Sequence, residues 1–387
     1  MLRTRALAVV GVLVAGLTSA ASLAPASGAI SVLESSRVVG ASFDGITCTS
    51  VRDCVAVGST QTRTLAEQWN GRKWAVQRTP DPAGEQGDLQ TVSCPSARDC
   101  MATGDAHVTG SLARYVVLAE RWNGRRWSIV PASNPAKGVQ SELVAAACLS
   151  ADWCIAVGDY TTRGSGDFAV AERWNGRRWA MMQRVVNPPG GGNALVDVRC
   201  LTARDCVAVG YDAAGVLVER WNGRLWAVQN APDPDPFSGL SGIYCRSGTE
   251  CMTVGYHGDP DLTFPLAERW SGRRWTTQLP PYPNASSDAA LSDVSCPSAT
   301  ICLAVGGSNN QFNTFFTLAE RWRGGKWATV RTPNAPGRGR ESALYALWCA
   351  SARWCLAVGS SDRGTERSLL TLTERWNGAR WTIVPSP

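Results

Sequence analysis

Near-copies of Leu118-Ala-Glu-Arg-Trp-Asn-Gly-Arg-Arg-Trp127 occur seven times in this chain, and a polypeptide that repeats one unit so often must stack or ring its units. The other copies begin at Leu65, Val170, Leu217, Leu266, Leu318 and Leu372. Fourteen of the 17 tryptophans sit in these paired positions, leaving Trp153, Trp348 and Trp354 outside, so the pairs belong to the framework. Two cysteines separated by five residues precede each copy. A short apolar run ending in Gly follows them, as in Cys94 to Cys100 and Met101-Ala-Thr-Gly104. From Cys48 to Cys349 the mean period is about 50 residues, the range of propellers and arrays. A length of 387 residues suggests two or three domains. The unbroken repeat overrides that and argues for one.

Each unit offers four strand-like runs; in the second they are Leu89 to Cys94, Cys100 to Gly104, Tyr115 to Trp122 and Arg126 to Pro131. Leu118, Glu120 and Trp122 alternate with Ala119 and Arg121, the period of a strand. Asn123-Gly124 is a hairpin signal, because a two-residue turn of that hand needs positive φ. Trp127 then shares a face with Trp122, where both indoles meet a neighbouring sheet. Pro and Gly punctuate the chain too often for helices of ordinary length. The expected fold is all-β, a seven-bladed β-propeller of four-stranded antiparallel blades over residues 41–387.

Residues 1–29 read as a secretory signal: Met1 to Arg5 is the basic region, Ala6 to Leu17 the apolar core, and small residues follow. The apolar run is short of the roughly 20 residues of a spanning helix, so no membrane span is expected in the mature chain. Residues 30–40 form an N-terminal segment that could add an edge strand to the last unit. The preferred reading builds every unit from one contiguous segment and closes the ring by packing, chiefly of the Trp69–Trp74 and Trp376–Trp381 faces.

Fourteen cysteines in seven pairs of one spacing, on an exported chain, read as disulfides. The spacing favours local pairing: Cys48–Cys54, Cys94–Cys100, Cys148–Cys154, Cys200–Cys206, Cys245–Cys251, Cys296–Cys302 and Cys349–Cys355. A loop so short gains roughly 2 to 2.5 kcal/mol from chain entropy. Zinc is disfavoured, since its usual closer Cys spacing and His partners are absent.

The units resemble the repeats of secreted actinobacterial β-propellers, whose pattern runs approximately VSCPS..DC.AVG…L.E.WNG..W. The resemblance spans residues 41 to 385, with a close match at Val92-Ser-Cys-Pro-Ser-Ala-Arg-Asp-Cys100. Most such proteins lack an assigned activity, so the resemblance implies a fold and a compartment only.

Strand order in such a fold puts the Cys turns and the Trp-Asn-Gly-x-x-Trp turns on one face, both of fixed length. The other two connections lie on the opposite face and vary. Variable loops on a rigid scaffold are where recognition concentrates, although lack of constraint produces the same variation. The recurrent Glu67, Glu120, Glu172, Glu219, Glu268, Glu320 and Glu374 read as structural ion pairs with Arg of the next unit in preference to catalytic carboxylates. His107 and His257, the only histidines, fall in variable loops near Asp105, Asp259 and Asp261, a candidate ligand set. No Gly-x-Ser-x-Gly elbow exists, and Gly190 to Gly192 reads as a loop.

Formal net charge is +6, falling to about +4 without Arg3 and Arg5. Basic residues recur at the fixed hairpin turns: Arg72, Lys73, Arg125, Arg126, Arg177, Arg178, Arg224, Arg273, Arg274, Lys326 and Arg380. These are read as solvated turns before they are read as an anion-binding ring. The reading is a secreted, extracellular binding or scaffold module with its ligand on the variable-loop face. The expected partner is a glycan, a cell-wall polymer or a protein; nucleic acid is not expected. Neither cofactor nor metal is expected, a monomer is, and an enzyme is the less favoured class. The rival is an extracellular carbohydrate-active hydrolase or lyase with its site at the central mouth.

Overall fold

The computed structural model describes residues 40–387 apart from 83–84, 109–113, 136–137, 164–165, 184, 189–190, 284–285, 311–313, 335–340 and 363–368. The signal at 1–29 and all of the 30–40 segment except Gly40 lie outside the described residues.

Unit one supplies β1 (Ser42–Ser50), β2 (Asp53–Ser59), β3 (Thr64–Trp69) and β4 (Trp74–Gln77). Unit two supplies β5 (Glu85–Ser96), β6 (Asp99–Val108), β7 (Tyr115–Trp122) and β8 (Trp127–Ile129). Unit three has β9 (Gly138–Ser150), β10 (Trp153–Thr162), β11 (Gly166–Trp174) and β12 (Trp179–Met181). Unit four has β13 (Ala194–Thr202), β14 (Asp205–Asp212), β15 (Gly215–Trp221) and β16 (Trp226–Val228). In unit five β17 (Gly239–Ser247), β18 (Glu250–Asp259), β19 (Leu262–Trp270) and β20 (Trp275–Thr277) follow. Unit six contains β21 (Ser286–Ser298), β22 (Ile301–Asn310), β23 (Phe315–Arg323) and β24 (Lys326–Thr329). Unit seven ends the chain with β25 (Ser342–Ser351), β26 (Trp354–Ser361), β27 (Leu370–Trp376) and β28 (Trp381–Ile383).

Antiparallel pairing within units follows the expected order, but the expectation of seven separate four-stranded blades is corrected. Five four-stranded blades stand alone, those of units one, four, five, six and seven; units two and three share one eight-stranded sheet. The joint is a parallel pairing of Tyr115 in β7 with Gln140 in β9. Both strands start further out than their unit-one counterparts, with 8 and 13 residues against 6 and 9. Their backbones therefore meet beyond the stacked core.

Apolar clusters fill the space between neighbouring units, and a fully buried large apolar side chain contributes about 1.5 to 3 kcal/mol. Phe43, Leu65, Trp69 and Trp74 of unit one pack on Ala346, Leu356 and Val358 of unit seven, which closes the ring with no exchanged strand among the described residues. Trp376 and Trp381 play no part in that closure. They pack on Leu303, Val305 and Ala319 of unit six, because each tryptophan pair faces the preceding unit.

All fourteen cysteines form the seven local disulfides, each across the turn between the first two strands of its unit. Seven such bonds point to an oxidising extracellular environment. The disulfide turn also anchors the paired tryptophans. Trp69 Nε1 donates to Val51 O at 3.2 Å, and Trp174, Trp221, Trp270 and Trp376 repeat the bond at 3.0 or 3.1 Å.

In unit two the hairpin turn is four residues long, with Asn123 N donating to Arg126 O at 3.3 Å. Gly124 takes φ 84° at the first central position, where the second keeps negative φ. A side chain there would also press on Arg98 of the disulfide turn, with Cβ 3.1 Å from Arg98 Cβ. The two fixed turns therefore share one face, as the strand order implies.

Candidate functional site

The seven innermost strands surround a central cavity of about 420 Å³, lined by Asp44, Gln90, Val144, Asp197, Ser292 and Tyr345 among others. Two of its carboxylates are structural. Asp197 accepts backbone N–H bonds from Val198 and from Ile243 of the next unit, each at 2.7 Å. Asp293 does the same with Val294 and Leu347, also at 2.7 Å. Burial raises the pKa of both, helped at Asp293 by the charge of Asp197; the backbone N–H bonds they accept, and then Arg199, pull them back.

Acidic groups gather where the cavity opens to the variable-loop side. Gln90 Nε2 donates to Asp105 Oδ1 at 2.9 Å and to Glu142 Oε2 at 3.0 Å, so one amide holds carboxylates of units two and three together. Asp88 lies opposite Asp105, and Asp159 opposite Glu142, in strand register. The backbone dictates this placement. The Gly ending each apolar run, such as Gly104, has no room for Cβ against the innermost strand's carbonyl, and the next residue emerges at the mouth.

Aromatic rings occupy the same side in cross-strand pairs: His107 with Tyr115 at 5.1 Å, Tyr160 with Phe168 at 5.5 Å, His257 with Phe264 at 5.5 Å. Around unit five the set widens. Phe264 meets Tyr282 edge-on at 4.9 Å and Phe237 meets Tyr256 at 5.7 Å. Phe237 and Tyr282 stay 39% and 37% exposed, large rings left open to solvent. His257 Nδ1 lies 2.6 Å from Asp235 Oδ2, a partner in the linker before β17. Burial raises the pKa of Tyr256; for Tyr211, burial acts first and the charges of Asp159, Asp167 and Glu142 add to it. Both phenols therefore remain neutral hydrogen-bond donors.

The candidate ligand set is dispersed. Asp105 is buried at the mouth. His107 sits on β6 and His257 on β18, each with local partners, and no contact joins them among the described residues. Asp259 shapes the β18–β19 turn by accepting from Asp261 N and Leu262 N, both at 2.9 Å, and Asp261 is exposed beside it. Among the described residues no group of three His, Cys, Asp or Glu side chains could hold a metal ion.

The expected Glu–Arg ion pairs between units are not formed among the described residues. All seven recurrent Glu are wholly buried, and in three units the strand-three Arg turns to its own disulfide turn: Arg121 to Asp99 at 2.7 Å, Arg220 to Asp205 at 2.8 Å and Arg269 to Glu250 at 3.8 Å. Burial pushes Glu67, Glu120, Glu268, Glu320 and Glu374 up to about 8. Glu172 and Glu219 reach about 7, where burial is offset by one backbone N–H, from Ser133 and Val186.

The sequence reading also passed over a clasp in the linkers. Asn134 Oδ1 accepts from Val117 N at 2.9 Å, Asn187 from Ala169 N at 2.7 Å, Asn334 from Thr317 N at 2.8 Å and Asp81 from Thr64 N at 3.2 Å. Its signal was the Asn or Asp, usually followed by Pro, seven or eight residues after the second tryptophan of a unit.

No family model matches the chain, and no curated protein matches it. Solved structures do. A polysaccharide lyase titled ulvan lyase aligns with a TM-score of 0.57 at 8% identity, over 87% of this chain and 92% of that one. YCF48 from Cyanidioschyzon merolae aligns at 0.53 and 13%, covering 88% and 98%. The structure titled U3-55K aligns at 0.54 and 13%, covering 86% and 97%. At these identities the likeness shows the propeller fold alone.

Proposed function

We propose that the chain is a secreted, extracellular binding module that takes a glycan on its variable-loop face. One observation carries this reading: Phe237 and Tyr282, exposed, stand beside the His257–Asp235 pair, Phe264 and Tyr256. Open aromatic faces stack on the C–H faces of sugars, and polar groups at their edge fix hydroxyls. Asp105, His107, Asp259 and Asp261 belong to the same face and supply acceptors around it. The acidic mouth favours neutral or amino sugars over anionic ones. Partners in a cell wall and a monomeric state accord with the exported character read from residues 1–29.

The mature protein should bind members of a panel of neutral and amino-sugar oligosaccharides in calorimetry. Phe237→Ala and Tyr282→Ala should each weaken binding by roughly tenfold, the order of one lost aromatic contact. A panel with no binder, or variants that bind as tightly as the parent, would overturn the assignment.

A second reading has one observation in its favour, the two carboxylates held by Gln90. It makes the protein a carbohydrate-active hydrolase or lyase at the central mouth, and the solved lyase bound to -[GlcA(1-4)Rha3S]- shows that a similar fold accommodates such a substrate. Release of reducing ends or unsaturated sugars from a bound glycan, abolished in Glu142→Gln, would establish it over simple binding.

A further inference from the structure

The face opposite the variable loops carries charge of the other sign. We infer that this face, built from the disulfide turns and the Trp–Trp turns, is a docking surface for an acidic polysaccharide.

In three units the acid of the disulfide turn is engaged by cations: Asp99 by Arg121 at 2.7 Å, Asp205 by Arg220 at 2.8 Å, and Glu250 by Arg246 at 3.2 Å and Arg269 at 3.8 Å; Asp152 of unit three is exposed. In unit one, where Gln68 replaces Arg, Gln68 Nε2 still donates to Asp53 at 2.9 Å. The Trp–Trp turns contain Arg or Lys in every unit and no carboxylate. These cations are exposed, and none forms an ion pair among the described residues.

Their positions are fixed. In unit two Asn123 Oδ1 accepts both Arg125 N and Arg126 N at 3.0 Å, and the bond recurs at Asn70, Asn175, Asn222 and Asn377. A ring of cations thus projects from rigid turns of one length, which lowers the ordering cost of binding. At the axis of the same face Arg199 adds a further exposed guanidinium. It stacks over Tyr244 at 4.8 Å, and both line the cavity together with Trp348.

The tyrosine face holds this guanidinium in place, where it can pair with the acidic group of a sugar. A linear polyanion can satisfy several turns at once, and avidity then multiplies weak single contacts. The seven disulfides favour surroundings where acidic polysaccharides outnumber nucleic acids. Only Val51 and Leu149 are large exposed apolar residues on these turns, too few to insert into a lipid surface.

Polygalacturonate immobilised on a biosensor, with neutral dextran as control, tests the inference on the mature protein. Binding should fall steeply with salt and drop by roughly tenfold or more when Arg125, Arg126, Arg177 and Arg178 are all changed to Glu. Arg199→Gln, at an exposed axial site, should weaken it by roughly threefold even if the quadruple variant fails to fold. Phe237→Ala and Tyr282→Ala on the other face should leave it unchanged, so this surface and the glycan face fail or stand separately. No binding to polygalacturonate, parental binding by both charge variants, or tighter binding to phosphatidylglycerol vesicles or duplex DNA would overturn it.

Discussion

Replacing Glu67 by Gln probes the most unusual feature of the core, a carboxyl buried without an ion pair. Glu67 is 0% exposed, neither oxygen has a hydrogen-bond partner among the described residues, and burial lifts its pKa from 4.5 to about 8. A folded pKa above the unfolded one means that the native state binds the proton more tightly. The stabilisation is full below pH 4.5 and is lost as pH rises through 8. Integrating the linkage between pH 5 and pH 9 gives a loss of about 4 kcal/mol for this group. Gln has the same shape and does not titrate, so the variant should escape that loss. Scaling the unfolding entropy per residue to a chain of this length makes it about 5 °C in Tm. Tryptophan fluorescence melts of both proteins should therefore diverge as pH rises, the variant gaining about 5 °C on the parent between pH 5 and pH 9. Melting curves that stay parallel would refute the protonated, buried carboxyl.

Gly124→Val should destabilise by about 1 to 3 kcal/mol in thermal melts, because a β-branched residue resists the positive φ and meets Arg98. Asn134→Ala should cost roughly 1 kcal/mol in denaturant titration by leaving Val117 N–H unpaired. Peptide mapping without reduction should recover only the seven bridges within units. The double change Cys94→Ala and Cys100→Ala should cost about 2 kcal/mol in the same titration.

Much of the fold was legible because the repeat carries its own punctuation. Paired tryptophans, Asn-Gly turns and evenly spaced cysteines fix strand ends within each unit, and the local disulfides follow from them. What joins units was harder to read. The bridge between Tyr115 and Gln140 depends on how far two strands extend past the core, and periodicity is silent about strand ends at variable loops. The role of the recurrent Glu was misassigned for a related reason. Alternation shows that Glu120 and Arg121 point to opposite faces. It does not show that Asp99, on the neighbouring strand of the same unit, would engage the Arg first. The aromatic cluster was hidden because Phe237, Tyr256, Phe264 and Tyr282 come from a linker, two strands and a second linker, a convergence that no single motif records.

Hydrogen exchange with a bound neutral or amino-sugar oligosaccharide tests most directly whether the two faces have separate tasks. Protection is predicted in the peptides holding Phe237, Tyr256 to Phe264 and Tyr282, with the Trp122–Trp127 and Trp174–Trp179 turns exchanging as in the free protein. Protection confined to those turns, with the aromatic cluster unchanged, would contradict the assignment of the glycan to the variable-loop face.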